Sequence, residues 1–258
     1  MVIMQTDLHA LAEFRLRPPS GSVRPLPTRV RGFSLLELLV AIVVVIVLAT
    51  IVFTASKAAT RAANAYRAIS NLKQTGVLVM TYASENNNRL PLAATSWESM
   101  TQGRIAWFQG SLAEHGGLKI DWQKSYFLPE IFYDPSLKRE REHPWGSFGV
   151  NTSIVLDETA CRFRYGHTQG IPLTLIASPA RKVICSSASA GTNSARFDSS
   201  WYFNGASFVQ QGMSPGIEHP APRNNGGAAS LFADGHVEKL DVKSMDRATR
   251  QRYFVLDP

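Results

Sequence analysis

The feature that most restricts the fold of this chain is a long apolar run that contains a single acid, Glu37. Nineteen uncharged residues separate Glu37 from Lys57, and the stretch from Phe33 to Leu36 extends the run to about 23 residues. A helix rises about 1.5 Å per residue, so the run spans roughly 30 Å of hydrocarbon. An ionised Glu inside such a segment costs on the order of a few kcal/mol. The sequence therefore predicts a bilayer segment built to contact something other than lipid.

The residues before the apolar run have the composition of a leader. Residues 1–32 contain five arginines, two acids and four prolines without a sustained apolar period, so we expect an unstructured tail. Only Lys57 and Arg61 follow the run closely, which predicts a cytoplasmic N-terminal side and a translocated remainder. Three interpretations compete: a plain signal anchor whose Glu37 reaches the headgroups, a signal peptide that is removed after the apolar run, and a leader that is cut before the run. The run is too long for an ordinary signal peptide, and the candidate cleavage site precedes it.

Residues 32–37, Gly-Phe-Ser-Leu-Leu-Glu, resemble the signature that prepilin peptidase recognises in type IV pilins and type II secretion pseudopilins. The resemblance implies cleavage between Gly32 and Phe33, followed by N-methylation of Phe33. It also implies an assembly role for Glu37, because the corresponding acid of that family pairs with the N-terminal amine of a neighbouring subunit. The physical chemistry agrees, since an α-amine supplies the opposite charge that a buried carboxylate requires.

The resemblance implies a structural subunit of a type II secretion pseudopilus or a type IV pilus-like filament. Its expected partners are prepilin peptidase, copies of itself or related pseudopilins, the secretion or pilus assembly platform, and the bacterial inner membrane. Its head would lie in the periplasm or outside the cell. The alternative is a membrane-anchored, minor pilin-like binding protein that captures DNA or polysaccharide. Residues 33–258 carry a net charge of only +4, so we expect no nucleic acid partner.

The chain lacks two common motifs of catalytic sites. It has no phosphate-binding Gly-Lys-Ser/Thr and no His-Glu-x-x-His sequence. We therefore expect a protein that is not an enzyme, and a single-pass enzyme is the third possibility after the two above.

The helical pattern continues beyond the apolar run. Residues 55–84 contain no proline and one glycine, and we expect a single helix from about residue 33 to about residue 84. Three asparagines and Pro91 supply its end. Its second half is amphipathic, with apolar or small residues at spacings of three or four: Tyr66, Ile69, Leu72, Gly76, Met80 and Ala83.

These patterns predict an α+β, pilin-like fold, in which the long helix packs on an irregular head with a small antiparallel sheet. The expected organisation has four parts. They are a leader at 1–32 that is removed, a transmembrane or filament-core half of the helix at 33–56, an amphipathic half at 57–89, and a globular head at 90–258.

Further motifs resemble the major-pseudopilin-like proteins abundant in planctomycete and verrucomicrobial bacteria. These motifs lie at residues 71–76, 82–91, 133–136, 148–151, 176–184 and 223–237. Asp134 stands where that branch commonly has Cys, and Asn224 stands where it has a His that nine residues separate from an Asp-Gly pair. The chain retains the pair itself as Asp234 and Gly235. The change at position 224 argues against any role that needs an imidazole there, but not against the fold.

Apart from any resemblance, the Asp-Gly pair predicts a turn between two strands, Ala228 to Ala233 and His236 to Leu240. Asp234 is therefore foremost a turn residue. Some major pseudopilins bind calcium through carboxylates in their C-terminal loops, which makes Asp234 a weak candidate ligand for a structural calcium ion. We expect no other metal or cofactor.

The two cysteines and one polar run complete the sequence. Cys161 and Cys185 enclose 23 residues, and an oxidising compartment would allow a disulfide between them. Two separate buried thiols are an equal alternative. We interpret the polar run at residues 186–200 as a surface loop.

Overall fold

The computed structural model of the protein describes residues 33–94, 107–121, 128–137, 146–156, 160–161, 169–189, 200, 202–214, 216–224 and 226–256. The predicted leader, including Gly32, lies outside these residues. Contacts between residues divide the described chain into two units, one that ends at Ala49 and one that begins at Thr50.

The predicted long helix is confirmed as α1, which runs from Leu35 to Glu85. The three asparagines end it as expected. Asn87 and Asn88 adopt left-handed backbone conformations with φ of 53° and 59°. The backbone N–H of Asn88 donates to the Ala83 carbonyl at 2.8 Å, so a terminal helix carbonyl is satisfied.

The two parts of α1 differ in burial, which confirms the predicted change from an apolar to an amphipathic helix. Every residue from 33 to 61 is exposed. From Ala65 onward one face is buried, and its members recur at spacings of three or four: Ala65, Ala68, Leu72, Thr75, Gly76, Val79 and Ala83. Tyr66 is predicted to lie on this face, but its side chain is exposed. Ala65 and Ala68 lie on the buried face, and Tyr66 therefore points away from it.

The other elements belong to the head. Among the described residues they are α2 (Phe108–His115), β1 (Phe148–Asn151), β2 (Val183–Ser189), β3 (Tyr202–Phe203), α3 (Gly205–Gln211), β4 (His219–Pro220), β5 (Ala228–Phe232), β6 (Val237–Leu240) and α4 (Arg247–Phe254). Short 3₁₀ turns lie at Glu130–Phe132, Leu173–Leu175 and Pro179–Arg181.

The described strands form one sheet in the order β3-β1-β2-β5-β6, and β4 pairs with β2. The expected sheet was antiparallel, whereas the observed sheet is mixed, because β3 pairs with β1 in parallel. A parallel pair needs a long connection, and residues 152–201 supply it. The predicted hairpin is confirmed: β5 and β6 are antiparallel, with Leu231 opposite Val237 and Ala228 opposite Leu240.

The sheet separates two apolar clusters. The first cluster joins the buried face of α1 to the head and includes Leu72, Phe108 and Phe132. The second is built around Phe208 and Phe254, whose rings meet edge to face at 5.1 Å between centroids. Strand β5 alternates between the two clusters, as the pleat of a strand requires. Its residues Ala229 and Leu231 belong to the first cluster, and Ala228 and Phe232 belong to the second.

The start of the polar run at 186–200 is not a surface loop, so that interpretation is wrong for the strand residues. Ser186 and Ser187 are fully buried in β2. The hydroxyl of Ser186 donates to the Ala229 carbonyl at 3.0 Å and lies 2.9 Å from the Ser230 hydroxyl. Small hydroxyl residues can occupy a central strand when each hydroxyl has a partner. Residues 190–199 lie outside the described part of the chain.

Two buried polar side chains hold the end of α4. Asn151 Nδ2 donates to the carbonyls of Val183 and Phe254 at 2.9 and 3.0 Å, and its Oδ1 accepts from the backbone N–H of Gly205 at 3.2 Å. Lys182 Nζ donates to the Val255 carbonyl at 2.7 Å. Cationic and amide donors at the C-terminal end of a helix satisfy carbonyls that have no partner within the helix.

Candidate functional site

The first turn of α1 forms a capping box from two residues of the predicted peptidase signature. Glu37 Oε2 accepts a hydrogen bond from the backbone N–H of Ser34 at 3.0 Å. The Ser34 hydroxyl in turn accepts from the backbone N–H of Leu36 at 3.2 Å. Together these two bonds satisfy two N–H groups that have no partner within the helix. This role of Ser34 was not predicted from the sequence, although the spacing Ser-x-x-Glu is its recognised signal.

The predicted processing and assembly residues lie close together at this end of α1. Phe33 precedes the helix, and both Phe33 and Glu37 are exposed. Gly32 lies outside the described residues, so the scissile bond itself is not part of the described geometry. The arrangement leaves Glu37 with a local partner in the single chain and with its side chain open to a further one.

The apolar part of α1 has the properties of a membrane-spanning segment. Among the described residues, α1 is the one helix that is long and apolar enough to cross a membrane, and its most apolar stretch is not buried at all. Its exposed side chains include Leu39, Ile42 and Ile46. Exposed apolar surface of this extent marks a contact with lipid or with another protein.

The motif at residues 71–76 packs α1 against the head. Asn71 Nδ2 donates to the carbonyls of Glu130 and Tyr133 at 3.2 and 3.1 Å. Gly76 lies against the Asp-Gly turn, where a Cβ would approach the Gly235 carbonyl oxygen to 3.1 Å and a Leu231 methyl to 2.8 Å. The two motifs that were separate in the sequence are therefore one contact in the structure.

Asp134 and Asn224, the two positions at which the chain departs from the similar branch, are direct neighbours. Asp134 is fully buried. Its Oδ2 accepts from the Ser187 hydroxyl at 2.7 Å and from Asn224 Nδ2 at 3.3 Å, and its Oδ1 accepts from the backbone N–H of Ser136 at 2.9 Å. Asn224 also donates to Ser187 Oγ at 2.9 Å and accepts from the Ser136 hydroxyl at 2.8 Å. The carboxylate is thus hydrogen-bonded on both oxygens, as a buried charge requires.

Asp234, the weak calcium candidate, lies in the turn between β5 and β6 as predicted. Its Oδ1 accepts from the backbone N–H of His236 at 3.1 Å and lies 2.5 Å from the Nδ1 atom of the same residue. The His236 ring stacks on Phe232 at 4.1 Å between centroids. Among the described residues, no group of three or more His, Cys, Asp or Glu side chains is placed to hold a metal ion. Calcium binding at Asp234 stays a prediction.

Cys161 and Cys185, the predicted disulfide partners, are both fully buried in the first apolar cluster as thiols. Burial raises the pKa of the Cys185 thiol well above its usual range. This keeps the thiol protonated and slow to react. The disulfide stays a prediction.

A cavity of about 160 Å³ lies beside the C-terminal end of α1. Its lining includes Tyr82, Asn87 and Gln169. Burial raises the pKa of the Tyr82 phenol, which is protonated at neutral pH and can donate a hydrogen bond. Arg89 Nη1 donates to the Gly170 carbonyl at 2.9 Å and joins the two sides of the cavity.

Comparison with known proteins gives one match. The family described as "Prokaryotic N-terminal methylation motif" matches residues 27–53, about a tenth of the chain. No curated protein and no solved structure matches the chain significantly. The matched residues contain the predicted cleavage signature, the capping box of Ser34 and Glu37, and the start of the exposed apolar helix. The chain therefore carries a prokaryotic N-terminal methylation motif, a type IV pilin-like signal, at the start of a long apolar helix.

Proposed function

We propose that the protein is a structural subunit of a type II secretion pseudopilus or a type IV pilus-like filament. In this proposal prepilin peptidase cuts the chain between Gly32 and Phe33 and methylates the new N-terminus. The subunit then stays in the inner membrane with its head in the periplasm until α1 packs into the filament. The observation that carries the proposal is the coincidence of the methylation motif with a helix whose apolar residues are exposed on every side.

The exposed helix supplies the driving force for assembly. In the membrane its apolar side chains contact lipid, and in a filament they would contact the same helix of other copies. Packing between helices then replaces packing against lipid. This exchange removes no polar group from water except at Glu37. Glu37 is retained within the apolar segment because the methylated amine of a neighbouring subunit neutralises it in the assembled filament.

The capping box supports a two-stage role for Glu37. In the single chain the carboxylate accepts from the Ser34 N–H, which satisfies one oxygen. A carboxylate has capacity for several hydrogen bonds, so the other oxygen can accept from an amine. The acid thus caps its own helix first and receives a neighbour's amine during assembly.

Mass spectrometry of the protein extracted from membranes tests the processing step. We expect a mature chain that begins at methylated Phe33. An intact Met1 start, or cleavage after about residue 50, would contradict the proposal.

Replacement of Glu37 tests the assembly step. In Glu37→Ala we expect the chain to remain in the membrane while its incorporation into filaments falls at least tenfold. Glu85→Ala is a matched control, since Glu85 is also an exposed acid, at the opposite end of α1. Normal incorporation of Glu37→Ala would remove the proposed role of this acid.

The alternative function, capture of DNA or polysaccharide by the head, has less support. The cavity beside the end of α1 offers a tyrosine and several amides, which suit hydroxyl-rich ligands. Its volume is about 160 Å³, whereas small-molecule sites usually begin at roughly 300 Å³. We therefore place the main function in the helix rather than in this cavity.

A further inference from the structure

Two cations follow the apolar part of α1, and both are exposed. Lys57 is the first charged residue after Glu37, and Arg61 lies one turn further along the helix. Lys57 Nζ lies 4.2 Å from the centroid of the Phe53 ring. A lysine at a membrane boundary keeps its apolar stem in the hydrocarbon while its amine reaches the headgroups, and the Phe53 ring adds an attractive contact with the ammonium group.

The two cations extend the buried face of α1 towards the N-terminus. Residues four apart lie on one face of a helix, so Lys57, Arg61 and Ala65 form one row. Ala65 is the first residue of this row that is buried against the head. The cations therefore occupy the part of the row that the head leaves open.

The row carries an electrostatic cost that the described residues do not offset. Like charges at positions i and i+4 of a helix destabilise it, and Lys57 and Arg61 have this spacing. Within the described residues, neither side chain forms a salt bridge with an acid. An anionic group placed between them would convert the repulsion into attraction. A phosphate suits this position, because a guanidinium can donate two hydrogen bonds to it and an ammonium can donate a third.

We propose that Lys57 and Arg61 bind the phosphate of an anionic phospholipid at the end of the membrane segment nearer the head. The inference rests on the membrane-inserted stage of the proposed function and names the partner of the helix at that stage. The contact holds the subunit at a fixed depth before assembly, and it must be broken when the helix leaves the bilayer. Each basic residue near an anionic surface strengthens binding roughly fivefold.

The test uses the full chain in micelles that contain equal amounts of phosphatidylglycerol and phosphatidylcholine. Native mass spectrometry then measures the ratio of the two lipids that remain bound. In the double variant Lys57→Gln/Arg61→Gln we expect the preference for phosphatidylglycerol to fall at least fivefold. The control is Arg67→Gln/Lys73→Gln, which removes the same charge from exposed positions further along α1 and should retain the preference. The arginines of the leader are present in all three proteins, so the comparison isolates the helix.

An unchanged preference in Lys57→Gln/Arg61→Gln would overturn the proposal. It would also be overturned if this variant reduced cross-linking between copies in pure phosphatidylcholine, because the cations would then serve a second chain rather than a lipid. Cleavage at Gly32 and Phe33 is measured on the same variants. Failure of cleavage in the unmodified chain would contradict the proposed function, whereas failure of lipid selection alone would contradict only this inference.

Discussion

The two parts of α1 belong to one continuous helix, yet they are built from different residues. The part before Arg61 is rich in Val, Ile and Leu, and all of its side chains are exposed. The part after it buries a row of mostly small residues, including Ala68, Gly76 and Ala83. Small residues let the helix backbone approach the head closely, whereas large apolar residues on every side offer surface to many neighbours. Burial within the single chain and apolar character therefore serve separate purposes in this helix.

The largest effect should come from a core residue of the second part. Leu72 is fully buried, and Leu72→Ala should lower the free energy of unfolding of the head by about 3 kcal/mol, through lost contacts and a new cavity. Leu48 is exposed in the first part, so Leu48→Ala should change the free energy of unfolding by less than about 0.5 kcal/mol. Urea unfolding of the full chain in detergent, followed by tryptophan fluorescence, measures both. Equal losses would erase the distinction between the two parts.

A smaller loss should follow from opening the polar network that joins Asp134 and Asn224. Asn224→Ala leaves Asp134 and Ser187 with fewer partners and should cost about 2 kcal/mol. Because the two residues share their partners, Asp134→Ala/Asn224→Ala should cost less than the sum of the single changes by at least about 0.5 kcal/mol. The same unfolding assay gives the coupling energy. Strict additivity would show that the network does not act as a unit.

The contact of α1 with the Asp-Gly turn should respond to one methyl group. In Gly76→Ala the new Cβ would lie 3.1 Å from the Gly235 carbonyl oxygen, which is part of the backbone and cannot rotate away. The overpacking outweighs the higher helix propensity of Ala, for a net loss of about 1 kcal/mol in the free energy of unfolding. Ser70→Ala, at an exposed position of the same helix, should be neutral within about 0.5 kcal/mol. A more stable Gly76→Ala variant would contradict the close approach.

The smallest effect concerns pH. Burial lowers the pKa of His219, while its hydrogen bond with the Pro220 carbonyl opposes the shift, and the neighbouring charges of Arg223 and Glu218 act in opposite directions. The unfolded state then binds a proton more readily than the folded head, so stability falls as the pH drops below about 6.5, the usual value for histidine. The melting temperature should fall between pH 7.5 and pH 5.5, and His219→Gln should reduce that fall. An identical fall in the variant would assign the pH dependence to other groups.

The sequence predicted the parts of the molecule that local patterns determine. The long helix, its asparagine end and the Asp-Gly hairpin follow from periodicity and turn chemistry, which act over a few residues. The capping box could also have been predicted, because Ser34 and Glu37 have the required spacing. The methylation motif at residues 27–53 confirms the resemblance to a type IV pilin-like signal. The predicted roles of Phe33 and Glu37 stay predictions.

The parts that were missed depend on residues far apart in the chain. Nothing in the local sequence indicates that Asp134 meets Asn224, since their hydrogen bond joins residues 90 positions apart. The serines of β2 were assigned to a loop because their polarity is visible in the sequence, whereas their hydrogen-bond partners are not. The parallel pairing of β3 with β1 is likewise set by a long connection and not by the composition of either strand.

The attachment of α4 affects how this protein can be labelled. Asn151 and Lys182 hold the carbonyls of Phe254 and Val255, so the end of α4 and the residue that follows it are anchored to the head. A fluorescent protein or an affinity tag fused close to these residues would pull on this anchor. A spacer of several Gly and Ser residues after Pro258 would leave it undisturbed, and the tagged subunit would report on the location of the native head.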